Sequence, residues 1–488
     1  MVEEAQLPVI AVQVVAQDVD AAVVAAHAEV AVRLALPAVE DFRDAAHPTE
    51  PAEAHRNLAA PRLGIAFDDE TRHRDPPRCV APSVPPAAGG ASARSIRPHP
   101  LHRGRFTAMS QADWIPGRAT PQGTRRFEAR FPDLPGHFRC PDRLCVSSFG
   151  LGTRAGEIGG GDDLLYRQAV PELLTGGVNL FDTALSDRMQ TSERALGVSL
   201  ARAIREGVAA RDEIVVVTKG GLLTPDPDLA RSAAEARRNL MATYVETGLV
   251  PPERLAGGVL CLEPAFLRDQ ILRSRRNLRL ETLDVWCLEQ PELALREFGG
   301  QEFQHVMCRA FEALEQAVCD GQIAAYGLCT WDGLLRPHSD PGHLSLLDLF
   351  QWALDVGGAD HHLRAIQLPY SLAMAEALRL PSQLGPAGGI ASVLAALRGT
   401  GSLVLASAPL AQGRAFGRLP DFVREYLAGP RSDAQLCLQF ARSSPGITAA
   451  IVGMRDAAHI DQNLALARVP VASPEAIEAL FKRAGAGR

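Results

Sequence analysis

From Leu144 to Met454 the chain alternates short apolar runs of strand length with longer stretches whose apolar residues recur at helical spacing. The strand-length runs are LCVSSFGLG (144–152), GVNLFDT (177–183), EIVVVTKG (213–220), TLDVWCLE (282–289), IAAYGLCT (323–330), LRAIQLPY (363–370), SLVLASAPL (402–410) and ITAAIVGM (447–454). Between them, LLYRQAVPELLTGG, SERALGVSLARAIREG, FLRDQILRSRRNL and FEALEQAVCDG carry helix patterns. Continuous apolar strands separated by helices are what a parallel sheet buried on both faces requires. Eight such units predict an α/β fold, a (β/α)8 TIM barrel. An open doubly wound sheet would place GxGxxG after its first strand, and the GGGDD run at 159–163 lacks that spacing. Two connections that leave strand C-terminal ends, 221–262 and 371–390, are long enough for lids or substrate loops.

Residues 1–108 have another texture. They are dense in Ala, Val, Pro, Arg and His, and PSVPPAAGGASARSIRPHPLHRGR has neither period. They read as a poorly structured extension, either sequence upstream of a natural start at Met109 or a natural extension, with 109–488 as the barrel.

Composition changes this picture little. Hydrophobic content of 47% with 22% charged residues is ordinary for a globular protein, and a formal charge of −7 gives no electrostatic case for nucleic acid. No apolar run reaches the ~18–20 residues of a membrane helix. Nine cysteines without CxxC spacing suit a reduced, cytoplasmic interior, so Cys140 and Cys145 read as two unrelated small apolar residues.

In a barrel, polar residues at strand C-terminal ends converge on one mouth. Asp182 ends the second strand, Lys219 the third and Glu289 the fourth, and together they predict a site. At these residues the chain resembles the aldo/keto reductase family, NAD(P)H-dependent barrels that reduce carbonyls. The resemblance covers roughly 125–468 and rests on SSFGLGT (147–153), GVNLFDTA (177–184), SERALG (192–197), VVVTKGG (215–221), LETLDVW (280–286), GQIAAYGLCTW (321–331), ASAPLAQG (406–413) and SPGITAAIVGM followed by HIDQN (444–463).

The resemblance implies a catalytic tetrad of Asp, Lys, Tyr and His. The Asp is Asp182 and the Lys is Lys219. The family's Tyr position is occupied by Asp187 and its His position by Glu289, so the tetrad is degenerate. A carboxylate beside an ammonium ordinarily has no proton to give. Three acids sharing one cation would, however, push at least one of them toward its protonated form, and a protonated Glu289 could donate to a carbonyl. The family branch that reduces steroid carbon–carbon double bonds has a Glu at the His position but keeps its Tyr. Tyr370, Tyr244, His338 and His343 are further residues that might reach the mouth. Lys219 amid the carboxylates argues against a metal, so no metal site is expected.

For the cofactor, the resemblance places Gly152 and Thr153 near the nicotinamide and Gln367 against its carboxamide. It lays Leu410 and Gln412, within Pro409–Gly413, along the pyrophosphate, and gives Gly453, Met454, Arg455, His459, Gln462 and Asn463 to the far end. Arg455, near a helix N-terminus, suits an adenosine 2′-phosphate and favours NADP(H) over NAD(H). Cys329-Thr330 stands where the family has a Ser-Asn pair, Ser407 where an aromatic stacks, His459 where Arg is common and Gln462 where Glu is common. Two readings remain: an NADP(H)-dependent reductase of a small-molecule carbonyl or enone with altered acid–base equipment, and a catalytically silent barrel that binds NADP(H) or a protein partner.

Overall fold

Along VVVTKG, alternate side chains take opposite faces of the sheet. Val215 and Val217 join an inner apolar cluster with Leu180, Val285, Cys287, Ala365, Leu405 and Ile451, while Val216 joins the outer cluster between sheet and helices. This alternation places Lys219 on the inward side at the strand's C-terminal end, and the same count places Asp182, Glu289 and Gln367 there.

The computed structural model describes residues 114–486 apart from 159, 230, 231, 386, 387, 414, 415 and 418, so the extension expected at 1–108 lies outside the described residues. Eight parallel strands close a barrel: β1 Phe149–Gly152, β2 Leu180–Asp182, β3 Val215–Gly220, β4 Leu283–Glu289, β5 Ile323–Cys329, β6 Leu363–Pro369, β7 Leu403–Ser407 and β8 Ala449–Gly453. Each pairs with its sequence neighbours, and β8 pairs with β1 through Gly453 and Gly152. This is the (β/α)8 architecture that the periodicity predicts. The first run is the exception: 144–152 is split at Ser148, with Val146–Ser147 pairing back onto Phe138–Arg139 instead of entering the barrel.

The helices Gly160–Thr175, Thr191–Arg205, Pro264–Leu278, Gly300–Cys319, Leu346–Gly357, Asp433–Ser443 and Ala457–Ala467 cover the sheet. Pro171 lies inside the first of them and leaves the carbonyl of Arg167 without its helical donor, and the Ser199 hydroxyl of the next helix donates to that carbonyl at 2.8 Å. The next contact is tighter still. A Cβ on Gly197 would lie 2.4 Å from the backbone oxygen of Asn277.

The short hairpin ahead of β1 overturns one expectation from the sequence. Its register pairs Arg139 with Val146, which sets residues 140 and 145 across from each other, and Cys140 and Cys145 form a disulfide with Cα atoms 4.2 Å apart. Spacing alone gave no sign of it because the bridge depends on the hairpin register. Glu128 lies within 4.8 Å of both sulfurs, but these are bonded to each other and offer no thiolate pair to a metal. No helix among the described residues is long and apolar enough to cross a membrane.

Candidate active site

The mouth is built from the last inward residues of β2, β3, β4 and β6. Lys219 Nζ donates to Asp182 Oδ1 at 2.7 Å, to Asp182 Oδ2 at 2.8 Å and to the Thr183 carbonyl at 2.8 Å. The acceptors of Lys219 are thus the Asp182 carboxylate and the Thr183 backbone. Burial disfavours charge on Lys219, but Asp182 and the neighbouring acids outweigh it and hold the ammonium above its ordinary range. Burial pushes the Asp182 carboxyl up while Lys219 pulls it down, and Gln367 Nε2 adds a donor at 3.3 Å. Both carboxylate oxygens face the one ammonium, and burial leaves the Asp182 carboxyl above its ordinary range.

Asp187 and Glu289 do not share that cation through hydrogen bonds. Asp187 is 6% exposed, and its Oδ2 accepts from Thr153 Oγ1 at 3.4 Å. Its carboxyl is pushed up to about 7 by burial, aided by the charges of Glu289 and Asp182 and opposed by Lys219 and Arg154. Near neutrality Asp187 is therefore a carboxylic acid about as often as a carboxylate. Glu289, also buried, accepts from Ser186 Oγ at 2.8 Å.

The loop after β2 that carries Asp187 is strained. Arg188, Met189 and Gln190 hold φ of 49°, 49° and 70°, a left-handed turn made without glycine. Its side chains anchor it. Arg188 Nε donates to Glu157 O at 2.8 Å and Nη2 pairs with Asp163, while Gln190 Nε2 donates to Pro225 O at 3.0 Å. Gln190 Oε1 in turn accepts from Asn277 at 3.2 Å. The Ser192-Glu193 pair is likewise buried structure, with Ser192 Oγ on Thr153 O and Glu193 on Thr218 and Asn277.

Neither Tyr244 nor Tyr370 substitutes at the mouth. Tyr244 is buried with its hydroxyl on Thr224 O at 2.9 Å, and Tyr370 is buried with its hydroxyl on Ser444 Oγ at 2.9 Å. Both point into packing, because the connections that carry them fold back onto the barrel. His343 bonds Arg336 O at 2.9 Å and rests edge-on against His338.

The cofactor wall expected on β5 and β6 has a specific feature. Gln367 Oε1 and Thr330 Oγ1 are both buried without a hydrogen-bond partner, although the two residues are linked by Thr330 N on Gln367 O at 2.9 Å. Buried polar atoms are rarely left this way, and a primary carboxamide carries the N–H donors that would satisfy them. Gly152 lies between Asp182 and Gly453 in the sheet, and a Cβ there would meet Ile451 at 2.8 Å. Beyond β7 the backbone of Ala408, Ala411 and Gln412 is left-handed, which turns the chain sharply at Leu410. Met454 and Asn463 are buried, His459 is exposed, and Gln462 uses its carbonyl to accept from Gln435 at 2.7 Å. Arg455 is not free: its Nη1 is paired with Asp162.

The residues brought together at the mouth are thus Asp182, Asp187, Lys219, Glu289, Thr153 and Gln367. Arg154, Thr183 and Ser186 were missed from the sequence. The signal for Arg154 was its position, directly after the Gly152-Thr153 end of β1.

Residues 149–335, spanning β1 to β5, match the model of the aldo/keto reductase family. No curated protein matches the chain. Among solved structures, an aldo/keto reductase from Klebsiella pneumoniae in complex with NADP and acetate is 21% identical over 71% of this chain and 95% of its own, with a TM-score of 0.48. Glycerol dehydrogenase AKR11B4 from Gluconobacter oxydans is 18% identical over 71% of this chain and 94% of its own, with a TM-score of 0.49. The holo form of AKR11C1 from Bacillus halodurans is 18% identical over 71% and 95%, with a TM-score of 0.47.

Proposed function

We propose that this chain, whose residues 149–335 match the aldo/keto reductase family, is an NADP(H)-dependent oxidoreductase in which Asp187 replaces a phenol as the proton donor to a carbonyl substrate. The observation that carries the reading is the mouth itself: a buried Asp182–Lys219 ion pair with a separate, protonatable carboxyl, Asp187, on the adjoining loop.

The chemistry follows from what each group holds. Lys219, held by Asp182 and the Thr183 carbonyl, is a buried positive charge beside Asp187 that favours negative charge developing at the mouth. Asp187 in its acid form gives its proton to that oxygen and is left as a carboxylate stabilised by Lys219 and Arg154, to be reprotonated by solvent. Gln367 and Thr330 would hold the cofactor's carboxamide through their unpartnered oxygens. When bound, the reduced nicotinamide supplies the hydride that the carbonyl carbon receives. Ser186 fixes Glu289 against the β2 loop, which keeps a second acid close enough to Asp187 to hold its proton affinity up. The scheme has Asp187, not Glu289, as the donor.

A second reading, a silent cofactor-binding barrel, is favoured by one observation: the hydrogen bonds of Lys219 go to Asp182 and Thr183 rather than to Asp187. Titration of NADPH into the full-length protein, followed by NADPH oxidation with a reactive aromatic aldehyde and with an enone, separates the two. Saturable binding with turnover is expected. Binding without turnover on either compound would favour the silent barrel, and no binding at millimolar NADPH would end both readings.

A further inference from the structure

The loop leaving β1 and the first turn of the helix Gly160–Thr175 that follows it are held at the rim by two arginines from different elements. Arg188 of the β2 loop takes Glu157 O and Asp163, and Arg455, which follows β8, takes Asp162. The second clamp is closely fitted. Asp162 Oδ2 also accepts from Glu157 N at 2.5 Å, and Tyr166 donates to Ala155 O at 2.5 Å. Gly156, at φ +115°, passes so near the pair that a Cβ would lie 2.5 Å from Arg455 Nη1 and 2.6 Å from Asp162 Oδ2. Only glycine lets the backbone pass beside this ion pair.

Resting on the reading above, we propose that Asp162 is a built-in competitor for Arg455 that sets the preference between phosphorylated and unphosphorylated dinucleotides. Arg455 is 38% exposed and Asp162 14% exposed, so the pair sits at the solvent edge, where a carboxylate–guanidinium contact holds only weakly. A carboxylate carries one negative charge, whereas a phosphate monoester carries about −1.5 to −2 and three acceptor oxygens. The phosphate therefore takes the guanidinium from Asp162. A dinucleotide with a plain 2′-hydroxyl has no charge with which to do so and leaves the clamp closed. The cost of displacing Asp162 falls on NADPH alone, and removing it benefits NADPH alone.

The test is equilibrium fluorescence titration of NADPH and NADH into the full-length protein, its Asp162→Asn variant, and both in an Arg455→Ala background. Asparagine keeps an acceptor for Glu157 N while removing the charge. Asp162→Asn is expected to tighten NADPH about fivefold, the range a rim ion pair spans, with NADH unchanged and with the gain abolished by Arg455→Ala. Equal tightening of both cofactors, no change in either, or a gain that persists without Arg455 would overturn the assignment while leaving the oxidoreductase reading intact. Binding of neither NADPH nor NADH by any variant would remove both.

Discussion

At the residue scale, Asp187 is the position on which the functional reading turns, because burial has made its carboxyl hard to ionise. Its folded-state pKa of about 7 lies above the ordinary value of 3.8, so the native chain binds more protons than the unfolded chain between those limits. The contribution is therefore harmless below pH 4 and becomes destabilising as pH rises toward 7. Asp187→Asn removes the ionisable group while keeping its shape. Thermal unfolding should show the variant gaining a few degrees on the wild type at pH 8 relative to pH 5. A melting-temperature difference that does not vary with pH would mean that Asp187 is ionised as an ordinary carboxyl. Lys219 was legible in the sequence as the partner of Asp182. Its bond to the Thr183 carbonyl was not, because no side-chain pattern announces a backbone acceptor.

At the element scale, the order of the barrel was written in the alternation of apolar strands and helices, and all eight runs became strands. The hairpin and its disulfide were not, because Phe138–Arg139 is too short to carry a period and a two-residue strand is visible only through its partner. The left-handed turn at 188–190 was likewise hidden, since Arg, Met and Gln do not advertise positive φ as glycine does. Glycine matters elsewhere for space. At Gly197 the helix 191–205 meets the C-terminal end of the helix 264–278 backbone to backbone, and an added methyl would strike the Asn277 carbonyl and the Leu278 backbone. Gly197→Ala is expected to destabilise by about 1–3 kcal/mol through overpacking, outweighing the ~1 kcal/mol that alanine would add in helix propensity. A lowered urea midpoint with an unchanged slope would bear this out. An unchanged or raised midpoint would show that the two helices separate at little cost.

At the scale of the whole molecule, the ends of β2 to β6 deliver acids, an ammonium and two unpartnered buried oxygens to one face, and the segments after β1, β2 and β8 are tied together at its edge by Arg188 and Arg455. The convergence of Asp182, Lys219 and Glu289 was readable because each ends a strand. Asp187 was readable only through a family likeness, because nothing in its loop has a period. Whether this face works as a catalyst is a question of one proton. The most direct measurement is the pH dependence of kcat/KM for NADPH-dependent reduction of a reactive aldehyde by the full-length protein and by Asp187→Asn. With Asp187 as donor, activity is highest below its pKa, falls about tenfold per pH unit above about pH 7, and in Asp187→Asn drops at least about a hundredfold with that inflection gone. An inflection near pH 7 that survives in Asp187→Asn, or a variant as active as the wild type, would show that the proton comes from another group.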